Sequence, residues 1–178
     1  MIERYSLPRM SSIWQDEFKF KVMLDIELYS LEALAKYGRV PSQAVTKIKK
    51  RAKFSLPRIK KIEEKTQHDV VAFVTNVAEY IGPLAKYLHM GLTSSDVLDT
   101  TLGVQLKEAS VILHDDILKL QAVLGRKARK YKDMVCIGRT HGVHAEPVTF
   151  GLKFALWYDE MNRNLERLDE ACRQVSLG

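Results

Sequence analysis

The apolar residues of this 178-residue chain recur mostly every three or four positions, the spacing that lays one face of a helix against a core. Trp14, Phe18, Val22, Ile26, Tyr29, Ala33 and Tyr37 step along one such face, and Gly38 ends the run. Ser12 and Gln15 precede it at capping-box spacing. Pro41-Ser42 opens a second helix, with Val45, Ile48 and Ala52 turned inward. Ser55-Leu56-Pro57 opens a third, since proline is tolerated in a first turn. Asp69 is placed to cap a fourth, carrying Val70, Phe73, Val74, Val77 and Ile81, which Gly82-Pro83 should break.

Two longer periodic runs follow. The first extends from about Ser95 to Tyr131 and as a helix would span on the order of 55 Å. Leu98, Leu102, Leu106, Ala109, Leu113, Leu120 and Leu124 line one side, and Val97, Val104, Val111 and Ile112 widen it. A helix apolar over so wide an arc should be surrounded by other helices. The second extends from about Val148 to Val175, with Phe150, Phe154, Trp157, Met161, Leu165 and Leu168 facing inward. No run alternates convincingly with period two, so the fold class is all-α. The expected division is a small helical domain over residues 1–93 and the start of a long-helix bundle over 94–178. Helices of this length exceed those of a compact monomer of this size. They point to a bundle shared between subunits and to a chain that is a piece of a longer protein.

Composition agrees with a soluble globular fold, at 46% hydrophobic and 28% charged residues. No apolar run approaches the roughly 20 residues of a membrane span, and the N-terminus lacks a secretory layout. Cys136 and Cys172 stand far apart, as free thiols in a reducing cytoplasm would. The net charge of +6 is concentrated between Lys47 and Lys65. Apolar residues keep helical spacing beneath those lysines, which marks solvated helix faces. Few aromatics interleave with them, unlike a nucleic-acid surface. A general positive field would draw in a small polyanion.

Four segments hold candidate chemistry. Gly138-Arg139-Thr140-His141-Gly142-Val143-His144-Ala145-Glu146-Pro147 sets a proton carrier and an anion-binding hydroxyl between two glycines. Those glycines let the backbone bend and approach a ligand. His141 and His144 have no third ligand at metal-binding spacing, so no metal is expected. His89-Met90-Gly91-Leu92-Thr93-Ser94-Ser95-Asp96 brings three hydroxyls to the start of the long helix, where free N–H groups favour a carboxylate or phosphate. Gln67-His68-Asp69, taken alone, reads as a helix cap beside a polar surface residue. Arg4-Tyr5 is a phosphate clamp in outline only. Phosphate-binding, dinucleotide and nucleophile-elbow motifs are absent from the sequence.

Together these segments resemble the adenylosuccinate lyase family of the fumarase/aspartase superfamily. The likeness covers essentially the whole chain. It rests on Met1-Ile2-Glu3-Arg4-Tyr5-Ser6, on His68-Asp69-Val70-Val71-Ala72-Phe73, on His89 to Thr100 and on Gly138 to Pro147. The superfamily shares the TSSD-like and GRTH-like loops, and the remaining stretches point to this member. The resemblance implies a fumarase/aspartase-type helical bundle. It also implies β-elimination of fumarate from adenylosuccinate, giving AMP, and from the succinylated aminoimidazole carboxamide ribotide. No cofactor or metal is implied. By resemblance, His141 is the general acid at the leaving nitrogen, supported by His68. Arg4, Tyr5 and His68 hold the phosphate, Asp69 meets the nucleoside, and Thr93, Ser94 and Thr140 stabilise charge on the carboxylate. His89 lines the same cleft. Gln67 stands where a basic residue is common. The family's serine base lies on an SSxMPxK-like loop that these residues do not contain, so the chain alone is expected to be inactive. The family assembles as homotetramers with shared sites. The competing expectations are another fumarate-releasing or cyclising lyase of the same superfamily, and a non-catalytic helical module that binds RNA or a partner through the Lys47–Lys65 face.

Overall fold

A computed structural model of the chain describes residues 2–177. Met1 and Gly178, at the two ends of the stretch that carries the resemblance, lie outside the described residues. Helices dominate: α1 (Pro8–Ser11), α2 (Asp16–Lys36), α3 (Ser42–Arg51), α4 (Leu56–Thr66), α5 (Asp69–Ile81), α6 (Ser94–Lys130) and α7 (Phe150–Val175). Short 3-10 turns cover Glu3–Tyr5, Ser12–Trp14 and Gly82–Tyr87. Between α6 and α7 lie two antiparallel strands, β1 (Val135–Thr140) and β2 (Val143–Thr149). The chain divides into two compact units, one reaching Leu106 and one from Lys107 to Val175.

The first unit is built on one apolar cluster. Phe20, Met23 and Leu31 of α2 meet Val45 and Ile48 of α3, Ile59 and Ile62 of α4, and Val70, Phe73, Val77 and Ile81 of α5. Phe20 stacks on Phe73 with ring centroids 5.6 Å apart. Removing these rings and the aliphatic side chains around them from water drives these short helices to assemble. Buried Asn76 ties α4 to α5, accepting the Ser55 N–H at 2.8 Å and donating to Glu79 at 3.2 Å.

The inward face of α2 differs from the expected one. Phe20, Met23, Glu27 and Leu31 are buried, whereas Tyr29 and Tyr37 are 67% and 82% exposed and Trp14 is exposed too. The apolar stripe misled because a glutamate occupies the centre of the true inner face, while tyrosines carry a polar end that suits water. The Ser12–Gln15 capping box does not form. The Ser12 hydroxyl donates to the Arg9 carbonyl, and α2 begins at Asp16 with no side-chain cap. The cap of α5 is His68 rather than Asp69: its ring accepts the Val71 N–H.

In the second unit the later half of α6 runs antiparallel to α7. Gln121 donates to Asn162 at 2.5 Å, His114 lies 3.7 Å from Asp169, and Gly125 faces the Tyr158 ring. Many apolar positions of these helices remain in solvent, among them Leu113, Leu120, Leu152, Leu156 and Trp157. The expected inward run of α7 is half-buried at Phe150, Phe154, Met161, Leu165 and Leu168 and exposed at Trp157.

The two strands correct the all-helical reading locally. Val135 pairs with Thr149 and Thr140 with Val143, with an irregularity between Ile137 and Arg139. The segment reads Val-Cys-Ile-Gly-Arg-Thr, in which glycine and arginine interrupt any apolar alternation. Pairing across the turn, rather than a buried face, makes these strands.

Candidate active site

The first unit carries three clusters of candidate residues. At the N-terminal turn, the Arg4 guanidinium sits over the Tyr5 ring at 4.8 Å, and both side chains are exposed. This keeps a cation and a phenol side by side, as an anion clamp needs.

At the junction of α4 and α5, Gln67 adopts the left-handed conformation with φ 51° and ends α4. Its amide donates back to the Glu64 carbonyl at 2.9 Å. The next residue, His68, caps α5: its Nδ1 accepts the Val71 N–H at 3.4 Å. An Nδ1 that accepts carries no hydrogen, so the hydrogen of a neutral ring sits on Nε2. An exposed N–H at a helix N-terminus is suited to a phosphate oxygen. Asp69 accepts the Val70 N–H at 2.8 Å and lies 3.9 Å from Lys19.

The third cluster leads into α6. His89 and Gly91 both have positive φ, 59° and 81°, so the chain turns twice before the helix begins. Asp96 then accepts the Thr93 N–H at 2.7 Å while its own N–H bonds the Thr93 carbonyl at 3.1 Å. This reciprocal cap occupies one donor that the sequence reading left open. Thr93 stays exposed and Ser94 half-buried at the start of the helix, where first-turn N–H groups have no partner within the helix. Among the described residues, no hydrogen bond or ion pair joins these three clusters to one another.

His89 brings in a residue that sequence reasoning missed. Glu27, 1% exposed, accepts the His89 backbone N–H at 2.9 Å with Oε2 and lies 2.6 Å from Nδ1 with Oε1. The available signal was the position of Glu27 itself, four residues from both Met23 and Leu31 on the buried face.

The second unit presents the hairpin. Its two-residue turn is His141-Gly142, with φ of 49° and 75°. Two consecutive positive φ values match the twist of paired strands, and histidine is among the few side-chain-bearing residues that tolerate the first of them. The turn holds His141 and Thr140 in solvent at the tip. An imidazole there can deliver a proton while the hydroxyl beside it binds an anion. The glycines divide their work. Gly142 supplies the positive φ, as expected. At Gly138 the backbone comes close to the paired strand, where a Cβ would stand 2.7 Å from the Glu146 carbonyl oxygen.

The basic face over α3 and α4 is partly partnered. Lys49 pairs with Glu32, Arg58 with Glu79 and Lys60 with Asp16, and Lys53 lies over the Tyr80 ring. Among the described residues, no group of three His, Cys, Asp or Glu side chains is arranged to hold a metal ion. No helix is long and apolar enough to cross a membrane.

The profile of the family described as lyase matches residues 3–178, and the chain belongs to that family. Among its relatives are the adenylosuccinate lyases of Bacillus subtilis, 48% identical, and Staphylococcus saprophyticus, 47% identical, each over all 178 residues. The chain spans 41% of the length of each. The fold is also that of a fumarate lyase from Mesorhizobium sp. BNC1, at 27% identity and TM-score 0.88 over 93% of this chain and 40% of that one. A 3-carboxy-cis,cis-muconate lactonizing enzyme from Pseudomonas putida follows at 31% identity and TM-score 0.84, over the same shares.

Proposed function

We propose that this chain is the N-terminal part of an adenylosuccinate lyase, which releases fumarate from adenylosuccinate and from the succinylated aminoimidazole carboxamide ribotide. What carries the reading is an exposed imidazole on a strained hairpin tip, in a chain nearly half identical over its full length to adenylosuccinate lyases.

A base removes the proton from the carbon next to one carboxylate of the succinyl group. The pair of electrons left behind forms the C=C bond of fumarate as the C–N bond breaks. His141 gives its proton to the departing nitrogen, which leaves as the exocyclic amine of AMP or as the carboxamide of the ribotide. Charge that builds on the carboxylate is met by the hydroxyls of Thr93, Ser94 and Thr140. Arg4, Tyr5 and His68 receive the phosphate, and Asp69 the nucleoside. Gln67, turned back onto Glu64, contributes to the bend that presents His68 rather than a charge of its own. The base is a serine supplied by the remainder of the longer protein. The apolar positions left in solvent on α6 and α7 support association with further helices. By the family reading that association is a homotetramer with shared sites, in the cytoplasm and without a metal or cofactor.

The test is a substrate panel on the full-length parent protein. Turnover of adenylosuccinate and the ribotide, with none of carboxymuconate, is the expected result. Turnover of carboxymuconate alone would assign the protein to the cyclising branch of the same fold. The 178-residue chain by itself should release no fumarate.

A further inference from the structure

We infer that Glu27 is a positioning residue of the active site, fixing the ring and the backbone of His89. The inference rests on the reading of His89 as part of a lyase cleft.

A carboxylate that is 1% exposed loses its water and must be satisfied within the protein. Glu27 sits on the inner face of α2 between Met23 and Leu31, a place where an apolar residue would bury more simply. Each of its oxygens has a use, and both uses are on His89. One takes the backbone N–H at 2.9 Å and the other faces Nδ1 at 2.6 Å. The two residues are 62 positions apart, so this is a tertiary clamp and not a local cap.

The clamp has two consequences. His89 holds φ at 59°, a conformation that costs a side-chain-bearing residue energy and persists only when its surroundings impose it. The bond to its N–H is that imposition. It sets the direction in which the chain proceeds through Gly91 to Thr93 and Ser94. Facing a carboxylate, Nδ1 carries the ring hydrogen, which leaves Nε2 as the nitrogen without a protein partner among the described residues. The side chain is 24% exposed, enough for that one edge to meet a ligand. Glu27 thus acts on substrate only through His89.

The experiment uses the full-length protein in five forms: wild type, Glu27→Gln, Glu27→Ala, His89→Ala and the Glu27→Ala/His89→Ala double variant. Steady-state fumarate release from adenylosuccinate is combined with crystal structures of wild type and of a sixth form, Glu27→Met, which removes both carboxylate oxygens at similar volume. Removing an outer partner of a functional histidine costs about 10- to 100-fold. Glu27→Ala should therefore lower kcat/KM on that scale, chiefly through KM, with Glu27→Gln intermediate. In the His89→Ala background the same substitution should change kcat/KM by less than about threefold, because partners in one network are not additive. In the Glu27→Met crystal, where neither oxygen remains to hold the N–H or the ring, His89 should relax from positive φ. A loss that multiplies in full onto His89→Ala, or a His89 unmoved in Glu27→Met, would overturn the inference. The crystal comparison decides it even if Glu27→Ala does not fold. If wild type ignores adenylosuccinate but turns over another substrate of the panel, the functional reading falls and the same cycle is run on that substrate.

Discussion

Replacing Gly151 by alanine should destabilise the protein, although the same change in an open helix would stabilise it. Gly151 lies in the first turn of α7 and is the buried residue of that helix. A Cβ at this position would stand 2.5 Å from the Ala128 carbonyl oxygen and 2.7 Å from both N and Cα of Lys132. All three neighbours are backbone, so no rotamer change relieves the overlap. The contact is also held together by hydrogen bonds, from the Gly151 N–H to the Tyr131 carbonyl and from the Phe150 N–H to Met134, each 2.8 Å. Alanine gains at most about 1 kcal/mol over glycine from helix propensity. Overpacking costs about 1–3 kcal/mol, and a rigid surround puts this site at the upper end. The net is a loss of ~2 kcal/mol, or roughly 4–8 °C in melting temperature for a chain segment of this size. Thermal melts followed by circular dichroism, on the full-length protein at one fixed concentration, measure it. A variant that melts at or above the wild-type temperature would refute the claim that the end of α6 and the start of α7 meet backbone to backbone.

Two further predictions follow from single observations. Gly142→Ala puts a side chain at φ 75°, at a cost of ~1–2 kcal/mol in the turn that carries His141; kcat of the full-length enzyme, assayed well below the melting temperature, should fall about tenfold or more, and an unchanged kcat would contradict it. Glu79 is held below its usual value near 4.5, chiefly by the hydrogen bond from Arg58. A carboxylate depressed in the folded state adds stability above its unfolded value and loses it as pH falls through the lower folded one. The gap in melting temperature between wild type and Glu79→Gln should therefore be present at neutral pH and close below about pH 4.5, and a gap that widens in acid would contradict this assignment.

The long helices were legible because dozens of residues repeat one period. The bounds of α6, Ser94–Lys130, differ by a single residue at each end from those read off the sequence. The hairpin was not legible, because its strands bury no continuous face and their pairing depends on the His141-Gly142 turn. That turn combines histidine and glycine in place of the asparagine-glycine pair that usually announces such a bend. Nor was the inner face of α2 legible. Periodicity assigns charged residues to solvent, and Glu27 is buried only because a partner 62 residues away satisfies it. Among the candidate site residues, the hydroxyls at Thr93 and Ser94 and the imidazole of His141 stand on the helix start and the glycine-bounded bend that local patterns indicated. The backbone conformations at Gln67, His89 and His141 did not show in the sequence, since positive φ at a side-chain-bearing residue is set by tertiary contacts.

Fumarate release from adenylosuccinate by the full-length protein, wild type against His141→Ala, tests the central claim most directly. The account predicts robust wild-type turnover and a loss of about 10²–10⁴-fold in kcat, the scale of a missing general acid, in a variant that melts as wild type does. A folded His141→Ala enzyme that keeps turnover within a few-fold of wild type would contradict it and remove the hairpin tip from the chemistry.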